Sequence, residues 1–101
     1  MNDIALIRSK QSIGAMLTQL AEEAVELAKA ALKLYRKELG ESPTPKSQKD
    51  CESDLWKEIA DVQSCVDVFC GEAETAMIEY IKKQKLNRWA ERLQEKEKIR
   101  E

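Results

Sequence analysis

Helix-breaking residues are almost confined to one place in this chain. Of its three glycines and two prolines, Gly40, Pro43 and Pro45 fall between positions 40 and 45, and Gly14 and Gly71 stand alone. The long stretches on either side lack the turn residues that hairpins or strand–helix alternation would need every few residues. Ala, Glu, Lys, Leu and Arg supply 52 of the 101 residues, the composition of long helices and coiled coils. The expectation is an all-α chain forming a single domain over residues 1–101, interrupted by a loop near residues 40–50.

Periodicity gives the elements. From Ile13, apolar residues at Met16, Leu17, Leu20, Ala24, Leu27, Ala28, Ala31, Leu34 and Tyr35 mark one face of a helix. Arg36 and Lys37 suit its C-terminus and Gly40 its stop. Residues 1–10 are weakly amphipathic, a short helical turn or the beginning of that helix. Gly40 to Lys49 reads as loop. A second helix opens between Asp50 and Asp54, with Asp50 and Ser53 as candidate caps. Its stripe of Leu55, Ile59, Val62, Val66, Phe69 and Ala73 steps by fours and threes, like a coiled-coil seam. Ala60, Cys65 and Val68 lie off that stripe and provide a second apolar face for another neighbour, from this chain or a second copy. Gly71 kinks or ends this helix. A last run carries Met77, Tyr80, Ile81, Leu86, Trp89, Ala90 and Leu93 on one side, and the charged tail 95–101 is expected to fray. Helices this few cannot cover their own apolar faces, so a bundle of long helices completed by homo-oligomerisation, as dimer or tetramer, is expected.

The chain has no histidine. That excludes serine–histidine and cysteine–histidine nucleophile pairs, an imidazole base, and zinc sites that need imidazole. A net charge of −2 argues against nucleic-acid binding by phosphate neutralisation. No apolar run is long enough to span a membrane, and Met1-Asn2-Asp3-Ile4 lacks the blocks of a signal peptide. Cys51, Cys65 and Cys70 are odd in number without C-x-x-C spacing, so reduced thiols in a cytoplasm are the expectation. They read as small core residues rather than ligands.

The chemistry-bearing feature is acidic. Glu22-Glu23-Ala24-Val25-Glu26 on the first long helix and Glu58-Ile59-Ala60-Asp61 on the second each place two carboxylates three residues apart. On a helix such a pair sits about 60° apart and ~4.5 Å along the axis. Glu23 and Glu58 each border an apolar stripe. Facing pairs of like charge repel unless a cation lies between them. Hard Mg²⁺ or Mn²⁺ takes carboxylate oxygens and water and bridges to phosphate, with no need of imidazole. Against this, glutamate is the commonest residue here, and such spacing also occurs on solvated helices.

Gln19-x-x-Glu22-Glu23-x-x-Glu26-Leu27-x-x-Ala30, followed by Glu58-Ile59-Ala60-Asp61-Val62, resembles the E-E-x-x-E … E-x-x-D signature of the MazG-like all-α NTP pyrophosphohydrolases. That superfamily also contains dimeric dUTPases, dCTP pyrophosphatases and phosphoribosyl-ATP pyrophosphatase. Lys85-Leu86-Asn87-Arg88-Trp89-x-x-Arg92-Leu93 is similar to the basic helix that follows in MazG-like proteins. The likeness runs from Gln19 to Leu93. It implies a MazG-like four-helix arrangement in an oligomer, with Glu23, Glu26, Glu58 and Asp61 holding Mg²⁺, for which Mn²⁺ can substitute. It also implies cleavage of an NTP or dNTP to NMP and pyrophosphate, as in cleansing of the nucleotide pool. Glu22 or one of these four ligands would orient the attacking water, Gln19 is a candidate to read a base edge, and Lys85, Arg88 and Arg92 would contact the outer phosphates from their own or a partner chain. A solvated face paired with Glu91 and Glu95 is the plainer account of that basic row. Lys82 and Lys83 face solvent. Trp56 and Tyr35 could stack on a base, but packing in a core or interface is the favoured account. The alternative to an enzyme is a non-catalytic homodimeric helical interaction module, motivated by the near-heptad stripe of the second helix.

Overall fold

Side-chain oxygens set where three of the helices begin. Asn2 Oδ1 accepts the Ala5 N–H at 2.8 Å, Ser12 Oγ the Ala15 N–H at 3.1 Å, and Ser47 Oγ the Asp50 N–H at 3.1 Å. Each satisfies a donor that the first helical turn leaves unpaired. The computed structural model describes residues 2–40 and 46–100, with Arg100 through its backbone alone. It contains α1 (Asp3–Lys10), α2 (Ile13–Leu39), α3 (Gln48–Phe69) and α4 (Glu72–Arg100), with no strand among the described residues.

The helix boundaries differ from the expectation where caps compete. Asp3–Lys10 is a separate helix: the Gln11 N–H closes α1 on Ile7 O, and extended Ser12 restarts the chain as the cap of α2. α3 opens at Gln48, ahead of the expected Asp50–Asp54 window. Ser47 outcompetes Asp50 and Ser53 as cap, and the Asp50 carboxylate lies in the first turn, where the helix dipole favours it. The expected loop is therefore shorter at its C-terminal end, and Pro43 and Pro45 lie outside the described residues. Gly40 stops α2 as expected, in the left-handed conformation at φ 67° and ψ 17°, with its N–H donated to Arg36 O and Lys37 O. Gly71 marks an end rather than a kink: α3 stops at Phe69, and Gly71 O accepts both the N–H and the hydroxyl of Thr75 at the start of α4. α4 continues helical through residues 95–100 of the tail.

The chain divides into two compact units, Met1–Phe69 and Cys70–Glu101. In the first, α2 and α3 pack along their length as an antiparallel hairpin and α1 packs on α3. The seam is legible in burial: Met16, Leu20, Glu23, Leu27, Ala30 and Leu34 of α2 are among the shielded positions, as are Cys51, Leu55, Glu58, Val62 and Cys65 of α3. Both series step by fours and threes, the coiled-coil period. Ala30 and Cys51, small residues facing one cavity, are 9% and 2% exposed. Arg8 ties α1 down by donating to Val68 O at 2.8 Å and Asp67 O at 2.9 Å, which satisfies carbonyls in the last turn of α3. Of the second apolar face expected on α3, Val68 lines a cavity with Ile7 of α1, whereas Cys65 belongs to the seam with α2 and Ala60 stays exposed.

Little is deeply buried. Among the described residues only Ala30, Cys51 and Cys70 are buried, and no large side chain is fully so. Trp56 at 62% and Tyr35 at 59% exposure are not core residues of this chain. In the second unit, α4 exposes Met77, Tyr80, Leu86, Trp89 and Leu93 by more than half of their surface. No described helix is long and apolar enough to cross a membrane. Because Ser47 caps α3, Ser47→Ala should lower urea-unfolding stability by about 1 kcal/mol and Ser47→Gly by only a few tenths, the known cap hierarchy. Equal loss in both variants would show that the hydroxyl is not the cap.

Candidate metal centre

Two of the seam positions are glutamates. Glu23 falls between Leu20 and Leu27 on α2, and Glu58 between Leu55 and Val62 on α3, so the packing that buries the leucines also brings these carboxylates together. One oxygen each from Glu23, Glu58 and Asp61 lies within 4.8 Å of the other two. Glu23 and Glu58 are half-buried and Asp61 is exposed. Gln19, one turn before Glu23, donates its amide to Glu23 Oε1 at 2.8 Å. Glu58 Oε2 is shielded from solvent and has no hydrogen-bond partner. Burial, then the neighbouring charges of Asp61, Glu23, Glu26 and Asp54, hold the Glu58 carboxyl above its ordinary range.

A buried carboxylate oxygen without a donor is an unfavourable arrangement that a cation relieves. The donors available are all carboxylate oxygens, the set that suits Mg²⁺ or Mn²⁺ completed by water. Cys65 lies beside the cluster, where burial together with Glu23 and Asp61 pushes its thiol up; it is not one of the three converging donors, and a hard ion prefers oxygen to sulfur. The chemistry of the site therefore fits a hard divalent ion held by Glu23, Glu58 and Asp61.

Of the other residues singled out by sequence, Glu26 is exposed, pairs with Lys29 at 3.4 Å, and shares a cavity with Glu58 without joining the three converging carboxylates. Glu22 is exposed on α2 and outside the cluster. Gln19 spends its amide on Glu23 and lines an apolar cavity with Ile7, Met16, Cys65 and Val68. Lys85, Arg88 and Arg92 are exposed on α4, and Arg88 borders a shallow hollow with Gln84 and Asn87. Among the described residues no ion pair joins this row to Glu91 or Glu95; Lys82 pairs with Glu79 at 3.1 Å.

Sequence reasoning missed a second group. Lys29, Lys33 and Lys46 line a cavity of about 260 Å³ with Glu26, Asp54 and Glu58, over a floor of Ala30 and Cys51. Its signal was present: Glu26, Lys29 and Lys33 step by three and four, which places them on one helix face. A scan against protein-family models gave no match, and neither the curated proteins nor the solved structures compared with the chain gave one. The functional reading therefore stands on the residues themselves.

With its folded-state affinity for a proton raised, Glu58 contributes its full share of stability below the ordinary carboxylate range and loses it as pH rises through the raised value. In chelator, Glu58→Gln should melt above the parent at neutral pH, and the difference should shrink toward about pH 4, near the unperturbed carboxylate value. A variant that melts equally with the parent at both pH values would show that the seam carboxylate is not under charge stress.

Proposed function

We propose that the protein is a Mg²⁺-dependent nucleotide pyrophosphohydrolase that converts an NTP or dNTP to NMP and pyrophosphate, and that it works as a homo-oligomer. The observation that carries this reading is the convergence of Glu23, Glu58 and Asp61 across the hairpin, with an orphaned oxygen on Glu58. The motif resemblance from Gln19 to Leu93 supplies the reaction class.

Each residue has a distinct task in this reading. Glu23, Glu58 and Asp61 hold the ion, and Glu26, which shares a cavity with Glu58, completes the ligand set when it releases Lys29. Gln19 fixes the Glu23 carboxylate in orientation, the supporting contact that metal ligands commonly need. Divalent ions bound there supply the positive charge that acidifies a nearby water and offsets charge on phosphate oxygens. Glu22, exposed and outside the three converging carboxylates, orients the water and takes its proton, a task that falls to a carboxylate in a chain without histidine. The apolar surface of α2, α3 and α4, including Tyr35, Trp56, Tyr80 and Trp89, is the contact area for a second copy.

That exposed surface also supports the second reading, a helical interaction module with no catalysis, and metal dependence separates the two. With Mg²⁺ or Mn²⁺ at a hundred times its dissociation constant, the ion should add about 2.7 kcal/mol to stability. Pyrophosphate should be released from at least one canonical or modified nucleotide. Glu23→Gln and Asp61→Asn should abolish release while the protein stays folded. Glu22→Gln should keep the ion-induced melting shift yet lose on the order of 10²–10⁴ in rate, the typical contribution of general-base catalysis. A dimer whose melting ignores both ions and that cleaves no nucleotide is the outcome of the module reading.

A further inference from the structure

Two cavities flank the carboxylate cluster along the α2–α3 groove, and their linings differ in kind. The one toward α1 has no charged side chain: Ile7, Met16, Cys65 and Val68 form it with two glutamines and a serine. The one toward the Gly40 end of the hairpin carries Lys29, Lys33 and Lys46 together with Glu26, Asp54 and Glu58. Glu58 belongs both to this cavity and to the converging carboxylates, so the lysine cavity borders the candidate metal centre.

We propose that the lysine cavity seats the outer phosphates of the substrate, held in cis by Lys29, Lys33 and Lys46, and that it retains the pyrophosphate product. The inference rests on the nucleotide pyrophosphohydrolase reading and adds the direction in which the substrate lies: phosphates toward the lysines, sugar and base toward the uncharged cavity. Lys29 and Lys33 stand on successive turns of α2, so their ammonium groups reach the cavity from one wall, and Lys46 reaches it from the segment before α3. Two of the three are held by carboxylates, Lys29 by Glu26 at 3.4 Å and Lys46 by Asp54 at 2.7 Å. Both pairs are solvent-exposed and of the class worth little, so a polyphosphate with several charged oxygens can displace them. Lys33 makes no salt bridge among the described residues. An ion drawing Glu26 toward Glu58 would release Lys29 for the phosphates, so that ion and anion binding reinforce each other.

Calorimetric titration of inorganic pyrophosphate in saturating Mg²⁺ tests this without turnover. Lys29→Gln combined with Lys33→Gln should weaken pyrophosphate binding by about tenfold or more, the usual consequence of losing charged hydrogen bonds. Lys46→Gln should also weaken it. Lys57→Gln, the same single loss of charge as Lys46→Gln but on the exposed side of α3, should leave affinity within about twofold, as expected for a surface charge screened by salt. Unchanged binding in the double variant, no binding by the parent, or loss confined to Arg88→Gln and Arg92→Gln overturns the proposal. If the parent hydrolyses nucleotide while the lysine variants bind pyrophosphate normally, the phosphate seat is wrong and the enzymatic reading stands. If lysine-dependent pyrophosphate binding occurs without hydrolysis of any nucleotide, the reverse holds.

Discussion

The structure turns on two glutamates placed where a helical hairpin wants leucines. Glu23 and Glu58 occupy heptad positions, with apolar neighbours one turn above and below on each helix. The hydrophobic gain from Met16, Leu20, Leu27 and Leu34 against Leu55 and Val62 closes the groove, and closing it forces the carboxylates together. An apolar pair at these positions would pack at no electrostatic penalty. The chain therefore accepts like-charge repulsion and a shielded, partnerless oxygen at the middle of its best-packed interface. Strain of this kind, placed where local rules would put a hydrophobe, is what binding sites leave in a fold.

Small residues govern how the groove opens on either side of that point. Ala30 and Cys51 allow α2 and α3 to approach, and they floor the cavity into which lysines of both sides project. At the other end Arg8 fastens α1 to the last carbonyls of α3, which roofs the uncharged cavity. The hairpin thus carries a gradient along one groove, from uncharged through acidic to mixed and lysine-rich. The substrate orientation proposed above follows that gradient, with the phosphates at the lysine end.

Much of this was legible in sequence because a helix face is a simple function of spacing. The boundaries of α2, its glycine stop and the pairing of Glu58 with Asp61 follow from periods of three and four and from cap chemistry. What spacing could not supply was rotation. Glu23 and Glu58 read as borderers of the stripe, because a stripe defined by apolar residues alone leaves glutamate out, yet the heptad runs through both. The start of α3 was missed because Ser47, Asp50 and Ser53 are all competent caps and only the observed bond to Asp50 N–H chooses between them. The lysine cavity escaped notice because Lys46 and Lys29 are far apart in the chain and meet only once the hairpin closes.

The same repulsion links stability to binding. In a hairpin with so few buried side chains, folding free energy is limited, and unrelieved charge in the seam removes part of it. A ligand that neutralises the seam returns that part, so occupancy and rigidity rise together. Optimising the hairpin for stability alone would replace Glu23 and Glu58 with leucine and would erase the point where three carboxylates converge. The trade runs in the direction expected when a site, rather than the fold, sets the identity of the buried residues.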